Sequence, residues 1–129
     1  MFLNDLYTII QTEPEGNSNK FTVSIRINPS HQIFKGHFPG NPILPGVCIV
    51  QILKEILMDH MRIRLILQNA ASIKYLSFIN PELNGIVNFD VELKEMENDR
   101  ILCNVTLYFE SVVFCRFKGD FTIIKKQDQ

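Results

Sequence analysis

The sequence predicts an α+β fold in which an antiparallel β-sheet wraps around one long central helix. Two observations lead to this prediction. Residues 46–60 are mostly apolar helix formers, whereas segments on both sides alternate apolar and polar residues as half-buried strands do. The chain has 129 residues, 46% of them hydrophobic and 21% charged. That size and composition are typical of one globular domain, here residues 1–129.

The N-terminal third predicts a helix, a turn, a strand and a long loop. Apolar residues at helical spacing predict a short helix over residues 1–10, and the polar residues 13–20 predict a turn. Alternation predicts a strand over residues 21–27, and residues 28–44 follow as a loop. A loop of that length in a compact domain is usually functional or disordered, and its prolines and apolar residues favour an ordered, functional one.

The central helix is predicted from Gly46 to about His60. Its apolar residues lie nearly all round the helix, which indicates burial on most sides. The exceptions fall at helical spacing and form one polar stripe: Gln51, Lys54, Glu55 and Asp59. This apolar stretch is too short and too interrupted to span a bilayer.

The remainder of the chain predicts four strands. They are residues 73–79, which stop at Asn80-Pro81, and then residues 87–93, 101–109 and 113–121. Asn98-Asp99 predicts a turn, and Glu110-Ser111 a break between the last two strands.

Composition narrows the classes of function. The formal net charge of -1 gives no reason to expect nucleic acid or an anionic membrane as a partner. Cys48, Cys103 and Cys115 include no closely spaced pair, so buried free thiols are expected rather than a disulfide framework or a zinc site. We expect no metal and no cofactor. Asn4 and Asp5 interrupt any apolar run at the start, which predicts no signal peptide and a cytoplasmic protein.

The most informative segment is residues 36–51, Gly-His-Phe-Pro-Gly-Asn-Pro-Ile-Leu-Pro-Gly-Val-Cys-Ile-Val-Gln. Its prolines restrict the backbone and hold His37 in a defined place just before the helix. Imidazole titrates near neutral pH, which suits a general base. The helix start at Gly46 and Val47 leaves backbone N–H groups unpaired at the positive end of the helix dipole.

Residues 36–47 resemble the signature of the (3R)-hydroxyacyl-[acyl-carrier-protein] dehydratases, the hot-dog-fold enzymes of bacterial fatty acid synthesis. The flanking segments Ile27-Asn28-Pro29 and residues 73–78 are also similar to that family. The resemblance implies a hot-dog fold and elimination of water from 3-hydroxyacyl thioesters of acyl carrier protein. It also implies a homodimer or an assembly of dimers.

The resemblance assigns roles residue by residue. His37 matches the catalytic base, the amides of Gly46 and Val47 match the group that holds the thioester oxygen, and Phe38 belongs with substrate binding. The position of the family's acidic residue is occupied by Gln51, which can hydrogen-bond a hydroxyl or water but cannot exchange a proton near pH 7. Glu55, one turn later, is a candidate substitute acid acting through a bridging water.

The replacement at Gln51 leaves three functions open. The first is a dehydratase-like enzyme of fatty acid or related acyl-chain synthesis. The second is a hot-dog acyl thioesterase in which Gln51 positions a hydrolytic water. The third is a non-catalytic acyl-binding or partner subunit that has lost the acid.

Each candidate residue also has a purely structural interpretation. His37 could be an ordinary loop histidine, and Gln51 and Glu55 could belong to a solvated helix face. His31 and His60 have no catalytic context, and Cys48 is best explained as a small buried side chain. Four basic residues could recognise an acidic carrier protein or simply be scattered surface charge: Lys35, Arg62, Arg64 and Lys74.

Overall fold

A computed structural model of the protein describes residues 1–14, 18–35 and 42–124. Within these residues the chain forms six strands, one short 3-10 helix and one α-helix. Their bounds are β1 Tyr7–Glu13, β2 Lys20–Ile27, a 3-10 helix Gln32–Phe34, α1 Gly46–Met61, β3 Arg64–Tyr75, β4 Ile86–Met96, β5 Arg100–Phe109 and β6 Val112–Ile124.

The six strands form one antiparallel sheet in the order β1-β2-β4-β5-β6-β3. Strands β1 and β2 pair directly, as do β4, β5 and β6 in sequence order. After α1 the chain enters the sheet as β3 beside β6, and it then crosses to β4, which pairs with β2. Strands β1 and β3 are therefore the two edges. The α+β class and the antiparallel sheet with one long helix are confirmed.

The turns between the later strands are built from residues that accept a left-handed backbone. Asn98 and Asp99 have φ angles of 62° and 58°, and short hairpin turns commonly require such values. Glu110, between β5 and β6, has a φ of 52°. Both predicted breaks in the β region are confirmed.

The core lies between the inward face of the sheet and α1. Alternate residues of β2, β4 and β5 are buried, as expected for strands with one covered face. The helix contributes four apolar side chains that are at most 1% exposed: Ile52, Leu53, Ile56 and Leu57. Burial of each such side chain stabilises the fold by about 1.5–3 kcal/mol. The described residues include no helix long and apolar enough to cross a bilayer.

The polar content of this core is small. All three cysteines are free and buried, as predicted. Two charged residues, Glu55 and Asp120, are also buried. Asp120 accepts hydrogen bonds from the guanidinium of Arg100, one of them from Nε at 2.9 Å. Glu55 likewise accepts hydrogen bonds from several donors. Without such donors, burial of either carboxylate would be costly.

The predicted N-terminal helix over residues 1–10 is wrong. Residues 7–13 form β1, with Tyr7 opposite Ile27 and Glu13 opposite Thr22 of β2. A helix of ten residues is marginal by itself, so hydrogen bonds to a neighbouring strand can override the local spacing of apolar residues.

The predicted bounds of the next strand are also wrong, because β3 runs over Arg64–Tyr75 rather than residues 73–79. Two register shifts, between Leu67 and Asn69 and between Ala70 and Ser72, interrupt the apolar alternation by which a strand is detected in sequence. After Tyr75 the strand ends, and the amides of the next two residues donate to the carbonyl of Phe114.

Two predicted connections are partly described. The loop over residues 28–44 contains the 3-10 helix, and its residues 36–41 lie outside the described residues. The turn between β1 and β2 includes residues 15–17, which also lie outside them.

Gly119→Ala should lower the free energy of unfolding by about 1–3 kcal/mol, as overpacking typically does. A Cβ at Gly119 would lie 2.6 Å from the carbonyl oxygen of Asn69, a backbone atom that cannot rotate away. Urea unfolding followed by circular dichroism measures the change.

Gly85→Ala is the matched control, because its Cβ would meet the nearest atom, the carbonyl oxygen of Pro81, at 3.7 Å. Its effect should stay within about 0.5 kcal/mol. Equal destabilisation by the two variants would contradict the steric explanation.

Candidate active site

The start of α1 presents two backbone donors that have no acceptor in the described part of the chain. Pro45 is the N-cap and has no side chain that could cap the helix, and its carbonyl accepts from the amides of Cys48 at 3.0 Å and Ile49 at 3.3 Å. The amides of Gly46 and Val47 donate to no described residue. The side chain of Val47 is 77% exposed, so this first turn is open. Such a helix start can stabilise negative charge on a ligand oxygen.

The connection before the helix is attached to the segment after β3. The amide of Leu44 donates to the carbonyl of Ile79 at 2.9 Å, and both side chains are buried. The residues leading into α1 are therefore held against the body of the fold, so the direction in which the helix starts is set by tertiary contacts.

Tyr75, at the end of β3, lies against the first residue of the helix. A Cβ on Gly46 would lie 2.7 Å from the hydroxyl oxygen of Tyr75 and 2.8 Å from its Cζ atom. Glycine is therefore required for this close approach. Tyr75 is 54% exposed, and burial of its hydroxyl, with a smaller contribution from Cys115, raises its pKa, so it remains a phenol with a proton to donate.

Tyr75 is not among the candidate residues that the sequence pattern indicates. It lies in the segment 73–78 that carries part of the family resemblance, but periodicity does not reveal which loop or helix a strand residue will touch.

Gln51 and Glu55 are directly hydrogen-bonded one turn apart on α1. The side-chain nitrogen Nε2 of Gln51 donates to Oε2 of Glu55 at 2.8 Å. Gln51 is half-buried, whereas Glu55 is only 1% exposed. The interpretation of Glu55 as part of a solvated stripe therefore does not describe its environment, although Asp59 further along the helix is exposed.

The carboxylate of Glu55 accepts three further donors from the N-terminal segment. The amide of Phe2 lies 3.0 Å from each carboxylate oxygen, the amide of Leu3 donates to Oε1 at 2.8 Å, and the hydroxyl of Tyr7 donates to Oε1 at 3.1 Å. Burial, followed by the charge of Glu55 and the hydrogen bond to it, raises the pKa of Tyr7, which therefore stays protonated and donates. The acceptor sites of this carboxylate are largely used.

His37 and Phe38 lie outside the described residues. The other two histidines have structural contacts. Nδ1 of His31 accepts from the amide of Ile33 at 3.0 Å, and its Nε2 lies 3.1 Å from Asp5. The ring of His60 stacks on Phe21 with a centroid distance of 3.7 Å.

Cys48, beside the helix start, is buried, and burial raises the pKa of its thiol. A buried thiol that ionises less readily than usual fits the predicted packing role better than a nucleophilic one.

Gly46→Ala should be coupled energetically to Tyr75. In the wild-type background the new Cβ displaces the tyrosine ring, whereas in a Tyr75→Ala background that ring is absent. The cost of Gly46→Ala should therefore be smaller in the second background, by about 0.5–3 kcal/mol, the range for residues in contact.

Urea unfolding of the two single variants and the double variant measures this coupling. Additive effects would show that the contact between Gly46 and Tyr75 does not contribute to stability.

Comparison with known proteins gives short matches to curated dehydratases. The chain is 52% identical over 29 residues to the 3-hydroxyacyl-[acyl-carrier-protein] dehydratase FabZ of Enterococcus faecalis, which is 22% of this chain and 21% of that protein. It is 44% identical over 48 residues to FabZ of Caldicellulosiruptor saccharolyticus, which is 37% of this chain and 32% of that protein. The match thus spans about a fifth to a third of these relatives.

Solved structures match over nearly the whole chain. The dehydratase heterocomplex ApeI:P from Xenorhabdus doucetiae matches with a TM-score of 0.73 and 16% identity, over 88% of this chain and 96% of that one. A mutant thioesterase from Pseudomonas aeruginosa matches with a TM-score of 0.61 and 11% identity, over 92% and 81%. At these identities the matches establish the hot-dog fold alone.

A family model, ApeI-like, described as ApeI dehydratase, matches residues 12–110, well over half of the chain. This match includes the segment that resembles the hydroxyacyl dehydratases, the start of α1, and the pair Gln51 and Glu55. The resemblance to that dehydratase family is thereby confirmed, and the chain belongs to the ApeI-like family of hot-dog proteins.

Proposed function

We propose that the protein is a cytoplasmic dehydratase that eliminates water from 3-hydroxyacyl thioesters of acyl carrier protein, in fatty acid or related acyl-chain synthesis. The observation that carries the proposal is the open start of α1, where the dehydratase-like segment leads into two amides that have no acceptor among the described residues. Membership of the ApeI-like family supports the same reaction class.

The reaction needs a base at C2, stabilisation of the thioester oxygen and a proton for the departing hydroxyl. In the proposal, His37 removes the C2 proton, and the amides of Gly46 and Val47 hold the oxygen as enolate charge develops. The C3–O bond then breaks as the C2–C3 double bond forms, and the hydroxyl leaves as water. The proton taken by His37 is available for that water.

Gln51 takes the place of an acid in this scheme by holding the leaving hydroxyl or a water through hydrogen bonds. Glu55 is given no direct proton transfer. Its carboxylate is 1% exposed and already accepts from Phe2, Leu3, Tyr7 and Gln51, which supports a structural rather than an acid role. In this proposal Glu55 is therefore not the substitute acid.

A homodimer, or an assembly of dimers, belongs to the same proposal. Strand β3 is a twelve-residue edge strand of the sheet, and its Ile66 is 46% exposed. Long edge strands with exposed apolar residues favour pairing with another chain.

Four basic residues are exposed and available to an acidic carrier protein: Lys35, Arg62, Arg64 and Lys74.

Incubation of the purified protein with 3-hydroxyacyl thioesters of acyl carrier protein should yield the trans-2-enoyl product, measured by mass spectrometry of the carrier protein. His37→Ala should lower the rate by ~10²–10⁴-fold, the usual contribution of a general base. His60→Ala is the control, because His60 contacts Phe21 at the far end of α1 and should leave the rate unchanged.

The same samples are assayed for free thiol. Release of carrier-protein thiol without enoyl product would instead identify a thioesterase. Neither product, with binding of the acyl carrier protein retained, would identify a non-catalytic partner subunit. Either result would overturn the proposal.

A further inference from the structure

We propose that Glu55 is a positioning residue that sets which end of the Gln51 side-chain amide is available to the substrate. It holds Nε2 of Gln51, and the amide oxygen Oε1 is left without a donor among the residues that the structure describes. The candidate site would then offer a hydrogen-bond acceptor to the leaving hydroxyl. This inference rests on the proposed function for the placement of Gln51 in the site.

The orientation follows from the other partners of the carboxylate. Two of them, the amides of Phe2 and Leu3, can only donate, and together they contact both carboxylate oxygens. Tyr7 also donates, because its raised pKa keeps the phenol protonated. A carboxyl group that accepts from so many donors is best satisfied as the carboxylate, which has no proton to donate. Gln51 must therefore present its NH₂ group to Glu55.

The opposite orientation of Gln51 is disfavoured by its contact with Glu55. A flip of the amide would place its oxygen 2.8 Å from a carboxylate oxygen, so that two acceptors would face each other in a buried environment. No donor among the described residues reaches Oε1 of Gln51. The Gln51 side chain is half-buried, so part of it remains exposed to solvent.

This order of residues changes what a single substitution at Gln51 can do. Gln51→Glu would place a second carboxylate against that of Glu55, and like charges at this separation repel. A gain of an acid at position 51 therefore requires Glu55→Gln as well. The double exchange reverses the two residue types on α1 and keeps one amide and one carboxylate in contact.

The experiment compares wild type, Gln51→Glu, Glu55→Gln and the double exchange in the dehydration assay, with kcat and KM measured separately. In Glu55→Gln the introduced amide can donate to Gln51, which allows Gln51 to turn and expose its NH₂ group. We expect kcat to fall by about 10–100-fold with little change in KM, as misplacement of a catalytic group can cost. The double exchange should restore kcat to the wild-type value or higher.

Tyr7→Phe is the matched control for a purely structural role. It removes one donor from Oε1 of Glu55 and leaves Oε2, which holds Gln51. Its melting temperature should fall while kcat stays unchanged. If Glu55→Gln lowers only the melting temperature and leaves kcat unchanged, or if the double exchange does not recover kcat while remaining folded, the inference is overturned.

A second readout does not depend on activity. In Gln51→Glu the carboxyl groups at positions 51 and 55 repel each other. This repulsion raises the pKa of the pair in the folded state above the value in the unfolded chain. The variant's free energy of unfolding should therefore fall as pH rises through the unfolded value. Its melting temperature relative to wild type should therefore be lower at pH 8 than at pH 4, and the double exchange should remove this pH dependence. If wild type forms no enoyl product, the proposed function fails, while this measurement still tests the contact between the two residues.

Discussion

The buried carboxylate of Glu55 joins two parts of the chain that are distant in sequence, the N-terminal residues 2–7 and helix α1. It accepts from two backbone amides near the N-terminus, from Tyr7 at the start of β1 and from Gln51 on its own helix. A carboxylate that is 1% exposed is tolerated only with such donors, and a hydrogen bond to a charged group contributes about 1.5–3 kcal/mol. The position of the central helix relative to the first strand depends on this group.

The start of the same helix is held by different forces. Tyr75 packs against Gly46, where a side chain would collide with it, and Leu44 hydrogen-bonds to Ile79. These contacts come from β3 and from the segment after it. The amides of Gly46 and Val47 are therefore positioned by contacts with β3 and the segment after it, and in the proposed reaction donors positioned in advance need little reorganisation as charge develops on the thioester oxygen.

Many of the secondary-structure elements could be predicted because their signals are local. The alternation in β2, β4 and β5, the turn at Asn98 and Asp99, and the apolar helix from Gly46 all depend on neighbouring residues. The errors have non-local causes. Strand β1 exists because β2 offers hydrogen bonds to it, and β3 contains two register shifts that hide its alternation. For residues 7–13, hydrogen bonding to β2 stabilises a strand in spite of the helical spacing of the apolar residues.

By itself, the sequence determined the fold class, the family resemblance and the presence of glutamine where an acid was expected. Each of these depends only on residue types and their spacing along the chain. Only the tertiary structure decided what Glu55 does. In sequence it is a polar residue one turn after Gln51, equally compatible with a solvated face or a substitute acid. Its environment is created by the amides of Phe2 and Leu3 and by the hydroxyl of Tyr7, which lie about fifty positions earlier in the chain and approach only when β1 joins the sheet. The burial and hydrogen bonding of Glu55 arise when the N-terminal segment packs against α1, and a local sequence pattern does not predict them.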